Sequence, residues 1–349
     1  MTETTPDIPL PLADQFALHT IVQEGMARQR IPGVIAGVWT PQGAWRTAVG
    51  IADLRTAAPM MADGHIRIAS VSKTFVATVL LQLIAEEKAS LEDTLETYVP
   101  GVPNGERITL RHLLGMTGGI FNYINDAELE PTYTNDPLIP FSRADFLTVM
   151  ARNTPNFAPG EDAEYSDSNY YLLGLIIEQI TGRDVAEDIA ERILQPLGLT
   201  NTSLPATSAM PAPHPRGYAA SAGSDELRDL TESSAAVPWT AGAMISTLDD
   251  LRVWAPALAT GALLPPELHA ERLRGHPLIS NSGRTFEYGL GIMSSDGWVG
   301  HAGAIFGYST WMLHHAERGA TVIALMNRGE TEQEFANGIT FAILKTLFP

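Results

Sequence analysis

Along the chain, apolar residues first recur at helical spacing, over residues 13 to 29. The period then shortens. "IPGVIAGVW" and "AWRTAVGIADL" are short β-type runs joined by Thr40-Pro41-Gln42-Gly43, a turn sequence, and together they predict a hairpin. From Ser70 to about residue 260 helical patterns dominate: 70 to 88, "TLRHLLGM", "SRADFLTVMARN", "NYYLLGLIIEQITG", "VAEDIAERILQPLG" and "LDDLRVWAPALATG". Beyond about 285 the pattern returns to β in "EYGLGIM", "GWVGHAG", "GYSTWMLHH" and "ATVIALMNR", and "TEQEFANGITFAILKTLF" predicts a closing helix.

Strands at both ends with helices between them predict a fold of α/β (α+β) class. One antiparallel sheet is assembled from the N- and C-terminal segments, about 1–66 and 285–349, flanked by helices. A mostly helical lobe, about 70–284, is inserted between them. A site at the seam of the two lobes is the natural expectation. The Ala/Ser/Pro-rich stretches 203–225 and 231–238 read as long surface loops.

The 349 residues suffice for one large unit with a substantial core. A formal net charge of -18 argues against nucleic acid or an anionic membrane surface as a partner, since both would be repelled. With no cysteine there is no disulfide framework, thiolate nucleophile or Cys-ligated metal. The opening "MTETTPDIPLPLADQF" lacks a basic segment followed by an apolar one, and no apolar run reaches the roughly 18 residues of a membrane span. These features predict a cytoplasmic protein, or an exported one if a leader has been removed.

One helix start stands out. The chain has three lysines, and Lys73 lies in the opening turn of the apolar segment "RIASVSKTFVATVLLQLIAEEK", three residues after Ser70. Residues three apart in a helix share a face. Phe75, Val76, Val79, Leu80, Leu83 and Ile84 cover much of the circumference, which predicts a buried helix. A lysine held there loses hydration and meets the positive end of the helix dipole, and both disfavour its ammonium form. Such an amine can take the proton of a neighbouring hydroxyl and make it a nucleophile. Alone, S-x-x-K also describes an N-capped helix with an exposed lysine.

Two further segments join it. In "FAPGEDAEYSDSNYYLLGLIIEQITG", Tyr165 precedes a helix capped near Asp167 or Ser168 and closed by Gly182, where a phenol could reach the serine. In "GWVGHAGAIFGYSTWM", a strand ends on His301, Ala302, Gly303 and Ala304; Gly303 permits close approach of substrate, and the amides of Ala304 and Ser70 form a candidate oxyanion hole. In this order, S-x-x-K, then Y-x-N, then K-T-G or H-x-G, the three segments resemble the serine penicillin-binding and class C β-lactamase-like family. That family includes D-Ala-D-Ala carboxypeptidases, D-amino-acid amidases and related esterases. "IPGVIAGV", "TLRHLLGMTGGI", "ILQPLGLTNT", "TAGAMISTLDDL" and "YGLGI" extend the resemblance over nearly the whole chain.

The resemblance implies a single β-lactamase/DD-peptidase-like catalytic unit over 1–349, working through an acyl-enzyme with no metal or other cofactor. Ser70 is the implied nucleophile, and Lys73 and Tyr165 move the proton. The amides of Ser70 and Ala304 hold the oxyanion, while Asp167, His301, Ala302 and Gly303 contact the substrate, with His301 lining the site or orienting Tyr165. Implied substrates are D-amino-acid peptides and amides and β-lactams. Ester hydrolysis, or slow release of a β-lactam by a non-hydrolysing binder, are the alternatives.

Several positions depart from the family pattern. Asp167 stands where an asparagine is usual: a carboxylate only accepts hydrogen bonds, and near Lys73 it would favour the ammonium and shift the base role towards Tyr165, unless it merely caps its helix and points away. Ala302 replaces a hydroxyl residue. Residues 285 to 317 contain no Lys or Arg to hold a leaving-group carboxylate, and Met293 occupies a position where carboxypeptidases tend to carry a cation. Arg284 or Arg216 could supply that charge; otherwise neutral leaving groups are favoured. Met116 and Gly118 replace a histidine and a serine.

Overall fold

The computed structural model describes residues 8–220, 226–279, 285–330 and 336–349. Its core is an antiparallel sheet of nine strands: β1 (Gly33–Thr40), β2 (Gly43–Asp53), β3 (Ala58–Pro59), β4 (His276–Ile279), β5 (Thr285–Tyr288), β6 (Met293–Ser295), β7 (Trp298–Ile305), β8 (Tyr308–His315) and β9 (Ala320–Met326). The spatial order is β3-β2-β1-β9-β8-β7-β6-β5-β4, so the N-terminal hairpin closes against the last strand, with Val34 opposite Met326 and Val38 opposite Val322. Every residue of β1, β8 and β9 is buried. That is why β1 and β9 read as near-continuous apolar runs rather than alternating ones: both faces are covered.

Helices α1 (Leu12–Gln29), α2 (Ser72–Ala85), α3 (Asp167–Thr181), α4 (Leu248–Thr260) and α5 (Ala336–Leu347) do most of the covering. α1 packs on α5, and α5 on β8 and β9, while α4 packs on β7, β8 and β9. α2 runs through the interior with nearly every position buried, as its apolar circumference predicts. Among the described residues no helix is long and apolar enough to cross a membrane.

Three local differences from the sequence reading have physical causes. First, α2 begins at Ser72, and Ser70 sits in a 3-10 turn, Ala69–Val71, because Ala69 takes a φ of 48°, which no α-helix accommodates. Second, β4 lies within 70–284, the span expected to form a mostly helical lobe; it is a four-residue edge strand whose Pro277 is tolerable because an edge leaves one ladder side unpaired. Third, 231–238 is largely buried rather than a surface loop. Several of its polar groups are satisfied internally: Gly217 N donates to Thr231 Oγ1 at 2.9 Å, Ser234 N to Pro137 O at 2.6 Å, and the Tyr123 hydroxyl to Val237 O. Hydroxyl-rich composition is compatible with burial when backbone partners are available.

One tie of α2 to its surroundings is Trp254 of α4, which stacks on Phe75 at 4.4 Å between ring centroids and donates from Nε1 to Thr74 Oγ1 at 2.9 Å. Replacing Trp254 with alanine is expected to destabilise the fold by about 3–5 kcal/mol. Urea denaturation would measure it, and a loss below about 1 kcal/mol would show that α2 is held elsewhere.

Candidate active site

Ser70 is positioned from three sides. The strand Ile66–Arg67 pairs with Ile245–Ser246, and Ile68 N donates to Met244 O at 2.9 Å, which fixes the chain just before the turn. Ser72 Oγ donates to Ala69 O at 2.6 Å and accepts from Met244 N at 3.1 Å, holding the left-handed Ala69 in place. On the third side lies β7. A Cβ on Gly303 would stand 2.4 Å from Ile68 O and 2.9 Å from Ser70 N, so only glycine lets the strand come this close. Ser70 remains partly accessible.

Lys73, one turn further, is fully buried. Its Nζ lies 2.9 Å from Ser70 Oγ, 2.6 Å from Asp167 Oδ1 and 2.7 Å from the carbonyl oxygen of Ala241. Two of these partners, the carboxylate and the carbonyl, can only accept hydrogen bonds. Two N–H groups therefore serve Asp167 and Ala241 in either protonation state. The third position can change: an ammonium donates to the Ser70 oxygen, whereas a neutral amine turns its lone pair to the Ser70 O–H. Burial pushes the lysine below its ordinary 10.5, while the charge of Asp167 and its hydrogen bond push back.

Asp167 is the first residue of α3, with Ser166 as the N-cap, so the helix begins earlier than Ser168. Its carboxylate faces the lysine instead of capping the helix, and its side chain stays 17% exposed. The loop before α3 is anchored from below. Asp167 N donates to Asn122 Oδ1 at 3.2 Å, Ser168 Oγ to Phe121 O at 2.7 Å, and Tyr123 N to Ser168 Oγ at 2.9 Å. Met116 is part of the same support: its sulfur accepts from Ser166 N at 3.5 Å and from Asn169 Nδ2 at 3.3 Å, and its carbonyl from Glu164 N at 3.1 Å.

Tyr165 comes to the same lysine, whose Nζ is 5.0 Å from the centre of the phenol ring. The ring packs edge-on against Tyr288 at 6.1 Å and tilted against His301 at 6.3 Å. His301 is fully buried with both ring nitrogens engaged. Because Ala302 O beside Nδ1 can only accept, Nδ1 carries the proton, and Nε2 accepts from the Tyr288 hydroxyl at 3.1 Å. Burial and the nearby Lys73 push this imidazole down to about 3, so it stays neutral. His301 thus forms the wall behind Tyr165. Ala302 is buried beside it, and Ala304 is partly accessible at the end of β7, next to Gly303.

The structure therefore brings Ser70, Lys73, Tyr165, Asp167, His301 and Gly303 to one place. Sequence reasoning missed the Ala241 carbonyl and Tyr288. The first is a backbone atom with no residue signature; the second was visible only as the aromatic before "GLG". Other expectations go elsewhere. Arg216 is paired with Asp229, and Arg284 lies outside the described residues. Met293 lines a separate groove of about 790 Å³ between α5 and β6–β8, which contains none of the motif residues.

The sequence model of the Beta-lactamase family matches residues 18–346. The chain belongs to the beta-lactamase family. A D-aminopeptidase from Brucella anthropi is 29% identical over 321 residues, which cover 90% of this chain and 59% of the relative, so the chain spans about three-fifths of the length of the curated relatives it matches. Among solved structures, a D-stereospecific amidohydrolase from Streptomyces sp. is 30% identical with a TM-score of 0.82, covering 96% of this chain and 98% of that one. The D-amino acid amidase of Ochrobactrum anthropi SV3, complexed with D-phenylalanine, is 25% identical with a TM-score of 0.83, covering 96% and 99%.

Gly303→Ala should disturb the Ser70 turn without emptying the core. We expect kcat/KM to fall at least about a hundredfold, as for an ångström-scale misplacement of a reacting group, with little change in the unfolding midpoint. Activity within threefold of the parent would show that β7 does not set the position of Ser70.

Proposed function

We propose that this protein hydrolyses amide bonds of D-amino-acid amides and short D-peptides through an acyl-enzyme on Ser70. The observation that carries the reading is the three-way contact of Lys73 with Ser70, Asp167 and Ala241. The Ser70 oxygen attacks the carbonyl carbon as its proton passes to the unprotonated Lys73 amine. The oxyanion is held by the amides of Ser70 and Ala304. The C–N bond then breaks, and Tyr165, beside Lys73, returns the proton to the leaving nitrogen. Water adds to the ester and gives up a proton along the same route; the C–O bond breaks, Ser70 regains its hydrogen, and the acid leaves.

The likeness to the Streptomyces amidohydrolase and the Brucella aminopeptidase supports amide and aminopeptide substrates over carboxypeptides. So does charge. Residues 285 to 317 hold no Lys or Arg, and Arg216 is engaged by Asp229, so among these described residues a free carboxylate on the leaving group meets no free cation. The same neutral leaving-group side suits alcohols, which makes ester hydrolysis the second reading.

Turnover of D-phenylalanine amide, D-phenylalanine p-nitrophenyl ester and nitrocefin should be measured together. The amide is expected to be cleaved, and Ser70→Ala should lose at least about a thousandfold on every substrate that is turned over. Full activity in that variant would overturn the nucleophile assignment, and ester turnover without amide turnover would favour the second reading.

A pH profile tests the base. Lys73 must be unprotonated to accept the serine proton, so kcat/KM should rise with pH along a limb centred below the ordinary lysine value of 10.5. Asp167 favours the ammonium, so Asp167→Asn should move that limb to lower pH. A limb that stays in place or moves up would contradict the role given to Lys73.

A further inference from the structure

We propose that Asp167 is a specificity-determining residue that selects acyl groups carrying a free α-ammonium and rejects N-acylated ones. The inference rests on the acyl-enzyme reading above and adds to it the chemistry required on the acyl side. Asp167 Oδ1 and Ser70 Oγ are held by the same lysine nitrogen, at 2.6 and 2.9 Å, so the carboxylate stands beside the nucleophile. In an α-amino acyl group the nitrogen is roughly 2.5 Å from the carbonyl carbon, across two bonds. A substrate with its carbonyl at Ser70 can therefore place its α-nitrogen within reach of Asp167.

What it meets there is an acceptor. Lys73 uses one carboxylate oxygen, a carboxylate offers about four lone-pair positions, and the side chain is 17% exposed while the lysine is fully buried. An ammonium has donors to give to that face. An N-acyl carbonyl presents another acceptor, and a carboxylate presents a second negative charge.

The charge balance points the same way. His301 is neutral, and residues 285 to 317 supply no Lys or Arg. When Lys73 is unprotonated and ready to accept the serine proton, Asp167 is left without its cation. A substrate ammonium supplies it. The same ammonium opposes protonation of Lys73, so the bound substrate favours the reactive form of the site. An asparagine at 167 would have neither property, since it offers a donor as well as an acceptor and carries no charge.

Methyl esters of phenylalanine and N-acetylphenylalanine, in both enantiomers, test this on the parent protein and on Asp167→Asn. Esters report on Ser70 chemistry even if amides are not cleaved, so failure of the amidase reading and failure of this inference are distinguishable. The parent is expected to prefer the free amine, and Asp167→Asn should reduce the free-amine to N-acetyl ratio of kcat/KM at least about tenfold. A ratio unchanged within twofold would overturn the inference. Calorimetric binding of phenylalaninol and N-acetylphenylalaninol to the parent requires neither turnover nor a folded variant. The amine should bind at least about tenfold more tightly, and equal or tighter binding of the acetyl compound would overturn the inference.

Discussion

A lysine nitrogen buried against a carboxylate, a carbonyl and a serine hydroxyl is the constraint around which this protein is arranged. Leaving a charged group in the interior with any partner missing would be costly. All three partners come from different parts of the chain: the 3-10 turn before α2, the first residue of α3, and the short helix Trp239–Gly242. The segments that look secondary, such as Met116 beneath Ser166 and Asn122 beneath Asp167, keep α3 in register with the lysine. Because two of the three partners can only accept, the contact survives loss of a proton, and only the sense of the Ser70 hydrogen bond reverses. In the proposed mechanism that reversal readies Ser70 to give up its proton as it attacks.

The sheet contributes the opposite wall. β7 lies close against the Ser70 turn, and Gly303 is what allows it. Behind it the neutral, doubly bonded His301 and the Tyr288 ring give Tyr165 a fixed backing. Rigidity here has a visible source: the ring edges pack, and the imidazole has no nitrogen left to change partners. The strain at Ala69 is held by backbone and Ser72 bonds on both sides, so it belongs to the pre-formed site and is not a point of give.

Much of this was legible in the sequence because the informative residues are rare in their surroundings. A lysine in an apolar helix start, a tyrosine just ahead of a second buried helix and a glycine at a strand end each break a local pattern, and those breaks mark the site. Strands β1 and β9 were readable for the opposite reason, as nearly uninterrupted apolar runs. What was hidden depends on backbone. The Ala241 carbonyl has no side-chain signature, and an alanine at 69 gives no hint of a left-handed conformation. Strand β4 is too short, and too disfavoured by Pro277, to show a period. The buried stretch 231–238 looks like a surface loop because a buried serine or threonine is indistinguishable in sequence from a solvated one. Asp167 was visible as a departure, but its direction, towards the lysine and away from a capping role, needed the geometry.

In the proposed mechanism Lys73 is a buried base whose proton affinity is set by desolvation against Asp167. The chain contains only three lysines, so protein labelled with carbon-13 and nitrogen-15 in lysine alone gives three side-chain signals to follow across pH by NMR. One signal, identified by its loss in Lys73→Ala, should titrate below the ordinary value of 10.5. If the Lys73 signal titrates at or above that value, the amine cannot serve as the base, and the account of the site is wrong.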